Sequence, residues 1–387
     1  MSTQNLADLT TMRVGGPAAE YAEATTEQEF IEAVRTADAA GTPVLIIGGG
    51  SNLVVSDAGF PGLVVRDART GVVNKSVDAC GGANITAVAG QDWDELVSTS
   101  VDNQWVGMES LSGIPGTVGA TPVQNVGAYG QEVSGVISSV RTWDRAVNQL
   151  RTFSRAELKF AYRNSMLKDS MRAEASAEDP HGPWYPSPRF VVLDVSFQMR
   201  LGRLSAPIGY AELARTLGVE AGRRAPSKAV REAVLHLRAG KGMLQDGRFG
   251  SEPGADHNRW SAGSFFTNPI IPTADAARVL PDDAPRYPVR TEVPEREHNP
   301  SLGRVDPDVI KTSAAWLIER SGFAKGFGIA GAESPATLST KHTLALTNRG
   351  NARASDIVDL AVTIRDGVRD AFSVVLEPEP ILVGLHL

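Results

Sequence analysis

The sequence predicts an α+β protein of two or three domains, and three observations carry that reading. Its 387 residues, 42% hydrophobic and 21% charged, have ordinary globular composition and enough apolar material for a sizeable core. Helical and strand periodicities both occur, in short stretches that follow one another along the chain. Glycine is concentrated in two segments, residues 48–50 and 107–130, which calls for a steric reason beyond ordinary turns.

Residues 26–40 read as a helix: Thr26 and Glu29 have capping-box spacing, Phe30, Val34 and Ala37 share one face, and Gly41 ends it. Residues 44–47 form a short buried strand running into Gly48-Gly49-Gly50-Ser51-Asn52, and 53–55 and 63–65 are further strands. This opening section is a small α/β unit. A helix follows at 92–101, capped by Asp92 and Glu95, with Trp93, Leu96, Val97 and Val101 inward. Strands are expected at 85–89, 136–143 and 190–199, and a helix at 226–238 with Val230, Ala233, Val234 and Leu237 on one side. Residues 245–260 and 281–307 are polar with little periodicity and are expected to be long functional loops or lids. Helices near 311–320 and 355–372 and a strand at 373–376 complete the chain.

Net charge is −7, so no basic field exists to hold nucleic acid or an anionic membrane, and phosphate-bearing ligands must be met by local groups. Cys80 is the single cysteine, which excludes an internal disulfide, and the six histidines show no metal-ligand spacing. No basic and apolar leader and no stretch of 18 apolar residues is present, so the expectation is a cytoplasmic protein.

The Gly48–Asn52 turn exposes several N–H groups on one surface, which suits a pyrophosphate, although a plain turn would use the same residues. Residues 112–130 bring Gly113, Ile114, Pro115, Gly116, Gly119, Ala120, Gln124, Asn125, Gly127 and Tyr129 together. Close approach to a flavin and its diphosphate would explain that density; tight loop packing is the alternative. Gly326-Phe327-Gly328-Ile329-Ala330-Gly331 fits GxGxxG but follows a helix rather than a strand, so it is rejected as a nucleotide site. Arg163, Ser264 and Glu377 stand in apolar or small surroundings, where a proton donor and charge stabilisers could sit, as could a turn serine and a structural ion pair.

Five segments then carry a resemblance: PVLIIGGGSNLVVSDAGFPGLVV, SLSGIPGTVGATPVQNVGAYG, FAYRNS, SAGSFFTNP and LEPEP, in that order along nearly the whole chain. Together they resemble the UDP-N-acetylenolpyruvoylglucosamine reductases. The resemblance implies an FAD-binding module of the vanillyl-alcohol-oxidase type, made of subdomains at 1–72 and 73–244. A UDP-sugar domain follows at 245–372, and 373–387 returns to the FAD module. It implies non-covalent FAD, with the two glycine segments as its walls, and NADPH as co-substrate. The substrate would be the enolpyruvyl UDP-N-acetylglucosamine, with Ser264 as proton donor and Arg163 and Glu377 stabilising the enol-like intermediate. Tyr210, Lys241, Asn268 and His342 fall at positions that hold the sugar diphosphate, and Tyr210 points to the class with a tyrosine-bearing substrate loop. A monomer is expected. The polar stretches before Ser264 and after Pro281 look longer than is usual in that family. A second reading is another FAD-dependent oxidase or dehydrogenase on the same module, which would not need SAGSFF and LEPEP together.

Overall fold

A computed structural model describes residues 4–174, 176, 182–245, 256–291 and 304–387. In the N-terminal unit, strands Ala18–Ala24, Phe60–Asp67 and Val44–Ile47 form a parallel sheet with Phe60–Asp67 in the centre. Parallel neighbours need a crossover, and helix Glu27–Ala39 supplies it. Thr26 and Glu29 make the reciprocal capping bonds read from the sequence, and Phe30, Val34 and Ala37 are buried against the sheet.

The second unit is an antiparallel sheet in the order Gln149–Ser154, Ile137–Asp144, Phe190–Leu201, Gly82–Val88 and Val72–Asp78. Helix Trp93–Asp102 buries Trp93, Leu96 and Val97 on it, and the Asp92 side chain accepts from the Glu95 N–H. The glycine-rich segment folds over the same core through Leu111, Val118 and Val133. Helices Ala211–Leu217 and Ser227–Gly240 pack together through Leu213, Val230 and Val234.

The third unit combines a small antiparallel sheet (Ile270–Pro272, Arg304–Lys311, Tyr287–Thr291) with helices Ala314–Arg320 and Ala354–Phe372. Its core of Phe265, Phe266, Leu317, Ile357, Leu360 and Ile364 also takes in Met12, Val14 and Val54 of the N-terminal unit. Strand Ile381–Val383 then pairs in parallel with Leu53–Val55, so the chain's end is built into its beginning.

Three expectations are corrected here. Residues 281–307 are not a bare loop: Tyr287–Thr291 and the start of Arg304–Lys311 pair within them, the alternation having been masked by Pro288 and Pro307. Lys311 therefore ends a strand rather than opening a helix. No strand occupies 373–376, because Ser373 closes the preceding helix in a left-handed conformation; pairing begins with a single bridge from Pro378 to Phe266 and becomes a strand at Ile381. The polar stretch 245–260 lies largely outside the described residues. Among the described residues no helix is long and apolar enough to cross a membrane.

Candidate active site

All three units open onto one cleft of about 1660 Å³. That exceeds the ~300–1,000 Å³ of an ordinary small-molecule pocket and leaves room for two ligands side by side.

The two glycine segments meet face to face along one wall. A Cβ on Gly49 would lie 2.7 Å from the Gly116 Cα, and one on Gly48 would lie 2.5 Å from Thr117 Oγ1. Ser51 Oγ donates to the Pro115 carbonyl and Asn52 Nδ2 donates to Gln124 Oε1, which fixes the turn against the opposite loop. Among the described residues, none of the five N–H groups from Gly48 to Asn52 donates to a protein acceptor. Backbone donors left unpaired in a concave wall are an anion-binding feature, and this one fits the diphosphate of a dinucleotide such as FAD. The glycines let the two loops touch, and that contact forms the wall. Gly48, Gly49, Gly50, Ser51, Asn52, Ile114, Pro115, Gly116, Gly119, Ala120, Gln124, Gly127 and Tyr129 line the cleft. Two expected contacts do not. Gly113 is turned against Leu235, Leu244 and Arg238 of the neighbouring helix region, its N–H bonded to Asp94. Asn125 is buried and spends its amide on Glu132, the Ala161 carbonyl and the Ser134 N–H.

Arg163 sits deeper in the cleft, in a left-handed conformation (φ 54°) that a non-glycine residue holds only when its surroundings impose it. Its Nη2 donates to the Gly127 carbonyl at 2.8 Å, and its Nε lies 2.9 Å from Glu379 Oε1. The Nε–H does not aim along a hydrogen bond, so this contact is an ion pair. Burial alone would lower the Arg163 pKa; Glu379, Tyr162 and Glu132 outweigh it and raise it, so the cation is permanent.

Of Glu377 and Glu379, the one that lines the cleft and meets Arg163 is Glu379. Glu377 is exposed and off the cleft wall, and its carbonyl is tied to the Thr267 N–H. Two residues on, the Glu379 N–H donates to the Phe265 carbonyl while its own carbonyl accepts from Asn52 Nδ2. Glu379 is therefore pinned between the serine-bearing loop and the glycine turn, at the point where the chain descends to pair with Leu53–Val55. Ser264 lines the cleft, flanked by Gly263 (φ 75°), with Phe265 and Phe266 packed edge-to-face in the core beneath it. Among the described residues its hydroxyl has no hydrogen-bond partner.

Where Tyr210 and Lys241 line the cleft, Tyr129 and Gly130 form the two-residue tip of a small hairpin, both with positive φ as such a turn requires. Tyr129 meets Tyr210 edge-on at 5.4 Å and carries Lys241 Nζ 5.2 Å above its ring. Burial pushes the Tyr129 phenol up to about 12. Asn268 Oδ1 accepts from the Ala314 N–H, which leaves its NH₂ for the cleft. His342 also lines the cleft; burial, then Lys241 and Lys325, push its pKa down to about 4, so it is a neutral imidazole. Tyr162, whose OH accepts from the Asn268 N–H, and Lys311, 4.5 Å above the Tyr162 ring, were not singled out from the sequence. Tyr162 stands next to Arg163 in the FAYRNS segment, which was a usable signal; Lys311 carried none.

The FAD binding domain family matches residues 18–149, and the C-terminal domain of UDP-N-acetylenolpyruvoylglucosamine reductase matches residues 255–383. The UDP-N-acetylenolpyruvoylglucosamine reductase of Cutibacterium acnes is 48% identical over 98% of this chain and 89% of its own. That of Saccharopolyspora erythraea is 49% identical, covering 99% and 95% respectively. The chain belongs to the UDP-N-acetylenolpyruvoylglucosamine reductase family.

The crystal structure of the reductase from Thermus caldophilus covers 99% of this chain and 98% of its own, with a TM-score of 0.58 at 22% identity, and so shares the fold. As a member of this reductase family the protein is an FAD-binding oxidoreductase of peptidoglycan precursor synthesis. The glycine-lined wall falls where the two matched domains face each other across the cleft, with Ser264 and Glu379 from the second and Asn52 and Gln124 from the first.

Proposed function

We propose that the cleft reduces the enolpyruvyl ether of UDP-N-acetylglucosamine in two stages at one place, NADPH entering first and the UDP-sugar second. FAD, which the turn Gly48–Asn52 and the facing segment 114–129 would hold, would supply the two-electron chemistry that links NADPH to the terminal vinyl carbon. The chain's own residues handle charge and the proton. Reduction beside a carboxylate builds negative charge on that carboxylate, and a buried, permanent cation meets it best. Arg163 is that cation, and Glu379 fixes its orientation. Ser264 Oγ delivers the proton to the carbon bearing the carboxylate, completing the addition of two hydrogens across the double bond. Its hydroxyl is a weak acid, which suits it to a strongly basic carbanion formed beside it and to nothing milder.

Tyr210, Lys241, Asn268 and the neutral His342 hold the sugar diphosphate, and the exposure of Tyr210 beside the cleft supports assigning the enzyme to the class with a tyrosine-bearing substrate loop. The enzyme acts as a cytoplasmic monomer. The observation that carries this reading is the Arg163–Glu379 pair standing in the same cleft as a serine hydroxyl and a glycine-turn backbone that have no partner among the described residues. An anaerobic experiment tests it. The purified protein should be yellow and give up its FAD on acid precipitation; the intact protein should be bleached by NADPH and recover its colour on adding the enolpyruvyl UDP-sugar. Bleaching without recovery would support the alternative flavin oxidase reading instead.

A further inference from the structure

Lys241, the cation placed above at the ligand's diphosphate, is already engaged. Its Nζ lies 2.6 Å from Glu212 Oε2, both side chains being only partly exposed. Lys241 follows helix Ser227–Gly240, and Glu212 stands in the first turn of Ala211–Leu217, so the pair joins two elements rather than decorating one. Around it stand the buried Arg238, Lys325 and the neutral His342, with Glu212 and, on Arg238, Asp94 as the opposing carboxylates. A wall that gathers this much positive charge is built for an anion. In the free protein the chain supplies that anion itself. A diphosphate and Glu212 cannot share one ammonium at contact distance without like-charge repulsion, which falls off slowly in a half-buried cleft.

We propose that Glu212 is an internal counter-anion of the substrate site: it holds Lys241 in the free enzyme, is displaced when a diphosphate ligand enters, and reclaims Lys241 when product leaves. The residue then sets affinity by opposing ligand, a role distinct from contact with it. Glu212 lies two residues beyond Tyr210, and the Gly130 tip packs against the Tyr210 backbone, so displacement acts on the segment that carries the tyrosine. This inference rests on Lys241 being the diphosphate ligand.

Equilibrium titration of the oxidised, FAD-loaded enzyme with the enolpyruvyl UDP-sugar, followed by flavin absorbance, tests both layers. Four proteins are compared: wild type, Glu212→Gln, Lys241→Ala and the double variant, with melting temperature and FAD content confirming folding. Removing a partly exposed competing charge should tighten binding about two- to fivefold. Lys241→Ala should weaken binding, and Glu212→Gln should then change nothing further in the Lys241→Ala background. Weaker or unchanged binding in Glu212→Gln would overturn the counter-anion role, the former showing that Glu212 merely orients Lys241. Unchanged binding in Lys241→Ala would instead overturn the diphosphate assignment beneath it, and the proposal with it.

Discussion

Replacing Glu379 and Glu377 by glutamine, one at a time, separates two carboxylates that the sequence alone left two residues apart. Glu379 lies 2.9 Å from the Arg163 Nε, with the two side chains 13% and 20% exposed. Removing one partner of a fully buried pair costs about 3–5 kcal/mol, because the remaining charge is left uncompensated. Residual solvent access and the nearby Glu132 reduce that here to about 2–3 kcal/mol. At 1.36 kcal/mol per decade, an Arg163 misaligned by that amount when charge develops on the substrate slows the step by roughly 30- to 150-fold. Glu377 is exposed, and its substitution should stay within about 0.5 kcal/mol, or roughly twofold. Stopped-flow reoxidation of the NADPH-reduced enzyme by the enolpyruvyl UDP-sugar measures the step directly, and the preceding reduction by NADPH serves as control. A tenfold or greater loss in Glu377→Gln with a near-wild-type Glu379→Gln would refute the reasoning.

Ser264→Ala should retain its fold, FAD and NADPH half-reaction while the substrate half-reaction slows by roughly 10²–10⁴, the range for a lost positioned acid; a normal second half-reaction would remove Ser264 from the chemistry. Gly49→Ala places a Cβ 2.7 Å from the Gly116 Cα, backbone that cannot move aside, so it should lower FAD content and cost about 1–3 kcal/mol, read from the flavin-to-protein absorbance ratio and a melt. His342 has its pKa depressed from 6.5 to about 4, so the unfolded chain binds the proton first as pH falls, and stability is lost between those values. His342→Gln lacks that contribution, and its melting temperature should fall less than the wild type's between pH 7 and 5; parallel curves would show that His342 titrates normally.

What the sequence determined by itself was whatever depends on neighbours in the chain. The capping box at Thr26, the Asp92 cap, the buried strand at Val44–Ile47 and the helix at Ala354–Phe372 are set by local hydrogen-bonding side chains and by the period of apolar residues, and the structure has them. The two glycine segments were legible as places of close backbone approach, because glycine at that density needs something close to its backbone, and the structure brings them against each other. Tertiary structure decided what lies opposite what. Glu377 and Glu379 are indistinguishable in a Glu-Pro-Glu-Pro run, since both follow a strand-like stretch and both are acidic. Only the bonds of residues 377 and 379 to the Ser264 loop, and the pairing of Ile381–Val383 with a strand more than 300 residues earlier, turn one toward Arg163 and leave the other in solvent. Lys311 is likewise an unremarked strand end until the fold sets it over Tyr162, and Glu212 an ordinary helix-surface acid until a second helix brings Lys241 within 2.6 Å. Local pattern carries secondary structure because its hydrogen bonds close within a few residues; an ion pair or a cleft wall closes across the chain, and its partners are chosen by packing.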